Sequence, residues 1–129
     1  MDHESFRAAC LQLAGAFEDH PFGPDATVFK VSGRPGGATK MFALLWDDSD
    51  PARANLKCEP VLAEQLRAAH PEITPGYHMS KKHWNTVLCS GSLDGATVRD
   101  LIEDSYDLVV ESLPRTDRER LGWKGLARG

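Results

Sequence analysis

"ATVFKVSGRPGGATKMFALLWDDSDPARANLKC", residues 26–58, is the stretch whose reading decides the fold. It divides into three apolar runs and two turns. "ATVFKVSG" carries Val28, Phe29 and Val31, residue types that suit a pleated surface. "KMFALLWD" is apolar on both faces, which suits a central strand. In "ARANLKC" the two-residue period sets Ala54, Leu56 and Cys58 on one face and Asn55 and Lys57 on the other. "GRPGGATK" and "DDSDP" are too short for a crossover, so the three strands form an antiparallel meander.

Helical patterns flank the meander. Phe6, Cys10, Leu13 and Ala14 recur at spacings of three and four, which predicts a first helix over residues 3–16. Asp2 and Glu4 suit the positive end of its dipole, and "DHPFG" breaks it. Pro60 opens a second helix with Leu62, Leu66 and Ala69 inward, and Pro71 ends it. A short edge strand near Gly76–Met79, a turn through Ser80–Lys82 and a strand Trp84–Cys89 come next. Asp94 is the expected N-cap of the last helix. Its buried stripe is Val98, Leu101, Ile102, Ser105, Leu108 and Val109, and Pro114 stops it. The expected fold is α+β, in the order α-β3-α-β2-α. Helices pack on one face of a mostly antiparallel sheet. Residues 1–114 form one domain, and 115–129 form a basic tail in which Leu121 and Trp123 can dock.

Composition bounds the rest. The chain has 129 residues, 41% of them hydrophobic, enough for one core. Its three cysteines, Cys10, Cys58 and Cys89, lie far apart with no CxxC, against a disulfide framework or a structural zinc. The longest apolar run is far short of a membrane span, and the N-terminus is acidic where a signal peptide is basic. A cytoplasmic monomer without cofactor, metal or membrane attachment is the expectation. The formal net charge is -4, which disfavours nonspecific nucleic-acid binding. The charge is uneven, however. Residues 26–93 and 114–129 are net basic, while 1–25 and 94–113 are net acidic.

Several constellations resolve to structure. "GRPGGATK" has Ala38 where a P-loop needs its second glycine, and a strand follows, so it is a hairpin turn. "DDSDP" lacks the glycine and glutamate of a calcium loop and is a solvated turn. His78 and His83 lack zinc-site spacing, and no spacing brings a cysteine to a histidine as an activated nucleophile. No catalytic residue is expected. Asp100, Glu103, Asp104, Asp107 and Glu111 form an acidic stripe opposite the apolar face of the last helix. That stripe is a solvated face, or a surface for a cation, a protein partner or the basic tail.

"HMSKKHWNTVLC", residues 78–89, is different. Lysines contact phosphates, tryptophan stacks, and an asparagine amide reads base edges. Lys57, Lys81, Lys82, His83 and Asn85 are therefore the candidate nucleic-acid-binding residues, with Asn55 beside Lys57. The structural alternative makes Trp84 a core anchor, His83 and Asn85 turn ties, and the lysines solubilising groups on a sheet edge.

"EDHPFGPDATVFKV", "MFALL", "NLKC", "TPGYHMSKKHWNTV" and "LIEDSYDLVVESLP" resemble, in order, the signature blocks of the MmcQ/YjbR family. The resemblance spans about residues 3–114 and is most specific from Pro75 to Val87. It implies a CyaY-like fold, also classed with secretion-chaperone-like folds, in the order α-β3-α-β2-α. It also implies DNA binding, by likeness of the family's fold to a double-wing DNA-binding domain. The matched polar positions are His20, Pro21, Lys57, His78, Lys82, His83, Trp84 and Asn85. No catalytic mechanism comes with it. A non-enzymatic DNA-binding protein is the leading expectation. The alternative is a protein-binding adaptor or chaperone-like module using the sheet face or the acidic helix.

If neither metal nor disulfide holds the chain, thermal melts with and without chelator or reductant should coincide. A large drop in Tm with either agent would overturn that expectation.

Overall fold

The computed structural model describes residues 1–125. The quoted stretch becomes β2 (Ala26–Ser32), β3 (Thr39–Trp46) and β4 (Arg53–Lys57), paired antiparallel in sequence order. Ahead of them lie α1 (His3–Leu11) and β1 (Ala16–Asp19). After them come α2 (Pro60–Ala69), β5 (Ile73–Pro75), β6 (Trp84–Leu88), α3 (Gly95–Glu111) and α4 (Arg115–Arg120). The sheet has six antiparallel strands in the order β1-β2-β3-β4-β6-β5. The class is α+β, as expected.

Three elements depart from the sequence reading. α1 stops at Leu11, and Gly15, at a φ of 73°, turns the chain into β1, which pairs with β2. "AFED" is too short to show a period of its own. The edge strand is Ile73–Pro75 instead of Gly76–Met79. Ile73 is the residue that needs burial, and it is 2% exposed opposite Val87. α4 lies in the stretch read as tail, of which residues 126–129 fall outside the described residues. Its buried Asp117 faces the turn after β2, 3.4 Å from the Arg34 guanidinium. Gly33 makes that approach feasible, since a Cβ there would lie 2.6 Å from the Asp117 Cβ. Leu121 and Trp123 dock on the core, as expected.

The main core lies on one face of the sheet. Phe29, Val31, Ala43, Leu45, Leu56 and Val87 meet Phe6 and Cys10 of α1 and Val98, Ile102, Tyr106 and Val109 of α3. Asp94 caps α3, its carboxylate accepting from Thr97 N–H at 2.8 Å. Leu101 and Leu108 are only half-buried, while Tyr106 and Val110 join the stripe. α2 buries Ala63 most fully and leaves Ala69 exposed. A smaller cluster of Ala26, Val28 and Leu44, flanked by Met41 and Trp46, covers part of the open face.

Ser105 is the polar member of the α3 stripe, and the sheet accounts for it. β3 bulges, with Phe29 opposite Ala43 and Lys30 opposite Met41, so that Phe42 has no partner on β2. On the other side, β3 and β4 last pair at Ala43 and Leu56. The next pair would be Phe42 and Lys57, and the Ser105 hydroxyl stands between them. It accepts from Lys57 N–H at 2.8 Å and donates to the Phe42 carbonyl at 2.5 Å. A buried helix side chain thus completes the ladder where the bulge opens it. Ser105→Ala orphans both backbone groups and should destabilise the fold by about 2–6 kcal/mol, since each buried orphan costs about 1–3 kcal/mol. Urea denaturation checks this, and a change below about 0.5 kcal/mol would defeat it.

Candidate functional site

β4 turns Asn55 toward the open face, where it is fully buried. Its amide N–H donates to the Tyr77 carbonyl at 2.9 Å. Its oxygen accepts from the Thr86 hydroxyl at 2.6 Å. Thr86 lies opposite Asn55 on β6, and its oxygen in turn accepts from Tyr77 N–H at 2.9 Å. This three-bond lock folds the 76–83 connection back across the sheet. Gly76 lies tight against Trp84, where a Cβ would come within 2.8 Å of the Trp84 Cβ. His78 adopts a φ of 60°, in the left-handed region that few non-glycine residues occupy.

The folded-back segment forms one wall of a cavity of about 300 Å³. Tyr77, His78 and Met79 line it together with Trp46, Met41 and Phe22, the Tyr77 ring lying 5.9 Å from that of Trp46. Phe22 belongs to "DHPFG", so two motifs 55 residues apart meet here. Phe22 is 68% exposed and Tyr77 51%. The Arg53 guanidinium lies 4.7 Å from the Trp46 ring centre and 5.8 Å from that of Tyr77, a cation–π arrangement.

The structure brings four of the five candidate residues together. Lys81, Lys82 and His83 are exposed on the turn before β6. The Lys81 ammonium reaches the Gly76 carbonyl at 3.4 Å. Lys57 ends β4, half-buried, opposite Trp84. None of these lysines forms an ion pair among the described residues. Asn85 is the correction. It pairs with Leu56 in the β4–β6 register and so faces away from Asn55 and Thr86. It is 2% exposed, and its oxygen accepts from the Arg67 Nε–H at 2.7 Å. Arg67, on α2, also bonds the Lys81 and Trp84 carbonyls, fastening the base of the turn. Trp84 is half-buried on the open face, so it supports the turn without being a core residue.

All three cysteines are buried. Burial pushes the Cys10 thiol far up and the Cys89 thiol to about 11, which makes them poor nucleophiles. Among the described residues, no three His, Cys, Asp or Glu side chains group as metal ligands. No described helix is long and apolar enough to cross a membrane. The acidic stripe of α3 is partly engaged by the chain itself. Trp123 Nε1–H donates to the Asp107 carboxylate at 3.0 Å.

The residues missed in the sequence are Phe22, Arg53, Arg67 and Tyr77. Tyr77 stood in a strand reading that proved to be a turn. Phe22 sat in a breaker motif whose aromatic has no periodic partner. Both positions depend on contacts distant in sequence.

A family model described as YjbR matches residues 11–108. The chain is 37% identical over 119 residues to a protein of Escherichia coli O157:H7 named Uncharacterized protein YbdF, covering 92% of this chain and 93% of that one. It is 36% identical over 81 residues to Uncharacterized protein YjbR of Escherichia coli K12, covering 63% and 69%. Its fold is similar to the crystal structure of the Deinococcus radiodurans protein DR2400. The TM-score there is 0.88 at 35% identity, over 99% of this chain and 93% of that one. A Pseudomonas syringae protein is similar at TM-score 0.68 and 33% identity, over 84% and 98%.

Asn55→Leu keeps the branched shape but removes two of the three bonds of the lock, leaving Tyr77 N–H to the Thr86 hydroxyl. Amide exchange at Tyr77 should rise at least about tenfold, the loss of roughly 1.4 kcal/mol of local protection. Hydrogen-exchange NMR reads it, and unchanged Tyr77 protection would show that the segment is held by other means.

Proposed function

The chain belongs to the YjbR family, and we propose that it is a non-enzymatic DNA-binding module gripping phosphates with Lys57, Lys81 and Lys82. The observation that carries this reading is the placement of those lysines. They gather at one end of the β4 and β6 strands, and none pairs with a carboxylate among the described residues. His83, exposed beside them, adds a ring donor. The carboxylates of Asp25, Asp47 and Asp48 sit at the opposite end, before β2 and after β3. Glu59 is exposed two residues beyond Lys57, and the three lysines outnumber it, so that end keeps a small positive excess despite a net charge of -4. The buried thiols support the non-enzymatic part of the reading. Exposed Phe22 and Tyr77 favour a second reading, a protein partner docking on the sheet face.

A few lysines release few counterions. About three phosphate contacts give a shallow slope of log K against log salt, about -0.9 for each phosphate neutralised. Lys81→Ala with Lys82→Ala should weaken binding to all sequences and flatten the slope by up to about two units. Asn85→Ala should lower stability by about 1–3 kcal/mol, because it strips a buried partner from Arg67, and should leave sequence preference unchanged. Fluorescence titration at two salt concentrations tests this. Absence of measurable DNA affinity at low salt would sink the reading and leave the protein-partner alternative in front.

A further inference from the structure

The cavity between Phe22, Trp46 and Tyr77 is not used by phosphate contacts on the lysine turn. We propose that it is a binding site for a single unpaired nucleobase, a proposal that deepens the nucleic-acid reading and rests on it. The base enters between the exposed Phe22 and Tyr77 side chains, and its phosphate points toward the lysine end of the sheet.

The lining selects the chemistry. Apart from His78 and the Tyr77 phenol it holds no ionisable side chain, and it offers the exposed Phe22 ring and the polarisable thioethers of Met41 and Met79, beside a Tyr77 ring already packed on His78 at 3.9 Å and Trp46 at 5.9 Å. At about 300 Å³ it lies at the small end of ligand sites, which suits one ring system rather than an extended cofactor. The two mouth residues are largely exposed although large and apolar. The Asn55–Thr86 lock fixes the Tyr77 backbone, so the wall is held in place before a ligand arrives.

Charge complementarity decides the occupant. Arg53 stacks on Trp46 and Tyr77, has no ion-pair partner among the described residues, and carries a buried Nε without a hydrogen-bond acceptor. Lys57 and Lys81 lie along the same face beyond Asn55. An apolar slot with carboxylates beside Ala26 and Trp46 and cations beyond Asn55 fits a ligand whose aromatic end enters it and whose anionic end points toward the lysines. An apolar peptide side chain has no use for the cations. A duplex keeps its bases stacked and cannot present one. Single strands and free nucleotides share the required chemistry, and aromatic stacking accepts any base.

Anisotropy titrations distinguish the sources. The probes are a labelled single strand of about twelve nucleotides, within the usual span of single-strand sites, the same sequence as a duplex, and a competing nucleoside monophosphate. The single strand should bind more tightly than the duplex. Phe22→Ala and Tyr77→Ala should each weaken single-strand binding roughly fivefold to a hundredfold, the loss of one base–aromatic stack, and leave duplex binding unchanged. Tyr77→Phe should retain wild-type affinity; Phe22→Ala should keep the wild-type Tm because its side chain is exposed, whereas Tyr77→Ala gives up ring contacts with Trp46, His78 and Arg53 and should lower Tm modestly while the chain still folds. The double lysine variant should weaken both nucleic acids. Equal affinity for single strand and duplex, unaffected by the aromatic variants, would overturn the cavity assignment and leave the phosphate reading standing. Phe22-dependent binding of the mononucleotide with no oligonucleotide binding would support the cavity and defeat the DNA reading. No binding of any probe at low salt would overturn both.

Discussion

A buried asparagine on an open sheet face is the constraint on which the site depends. Desolvating an amide is unfavourable unless its groups are paired, and Asn55 meets that demand with Tyr77 and Thr86. The fold therefore cannot place Asn55 where it is without bringing the 76–83 segment over it. Lys81, Lys82 and His83 follow on the same segment, so the group that sets the aromatic wall also leads the chain into the lysine turn, whose base Arg67 fastens. An apolar residue at 55 could fill the space but could not specify which backbone atoms lie above it. The amide selects one loop conformation, including the left-handed His78.

A second hydroxyl performs the matching task on the other face. Ser105 closes the ladder between Phe42 and Lys57, and Lys57 is the last residue of β4. The α3 helix thereby fixes the backbone that carries a candidate phosphate ligand. Arg67 on α2 does the same for the lysine turn through the Lys81 and Trp84 carbonyls. Two helices, α2 and α3, thus anchor backbone that carries candidate side chains on the open face.

The meander, the α3 cap and stripe, and the helix stop at Pro71 were legible because they rest on local periodicity and breakers. β1 was not, since four residues carry no period, and neither was α4, whose six residues include one buried carboxylate and no apolar side chain. Of the candidate site, the lysines and His83 were readable as a charged turn. Asn85 was misplaced because composition does not tell which way a strand residue points. The alternation through Trp84 already puts Asn85 on the opposite face, and the β4 register confirms it against Leu56. The aromatic cavity was invisible for a different reason: Phe22 and Tyr77 meet only through tertiary structure.

The net charge of -4 limits how nucleic acid can be held. Long-range steering falls off within about 8–10 Å at ordinary salt, so on the proposed reading the lysine end would act only on a strand already close, and the carboxylates beyond β3 would repel one lying the other way. Three lysines release too few counterions for the affinities typical of basic DNA-binding domains. A contact indifferent to salt must supply the remainder. Burying an aromatic ring against Phe22, Trp46 and Tyr77 is such a contact, because stacking and apolar burial are little screened by ions. On the proposed reading, the electrostatic end of this acidic chain orients the ligand and the aromatic cavity retains it.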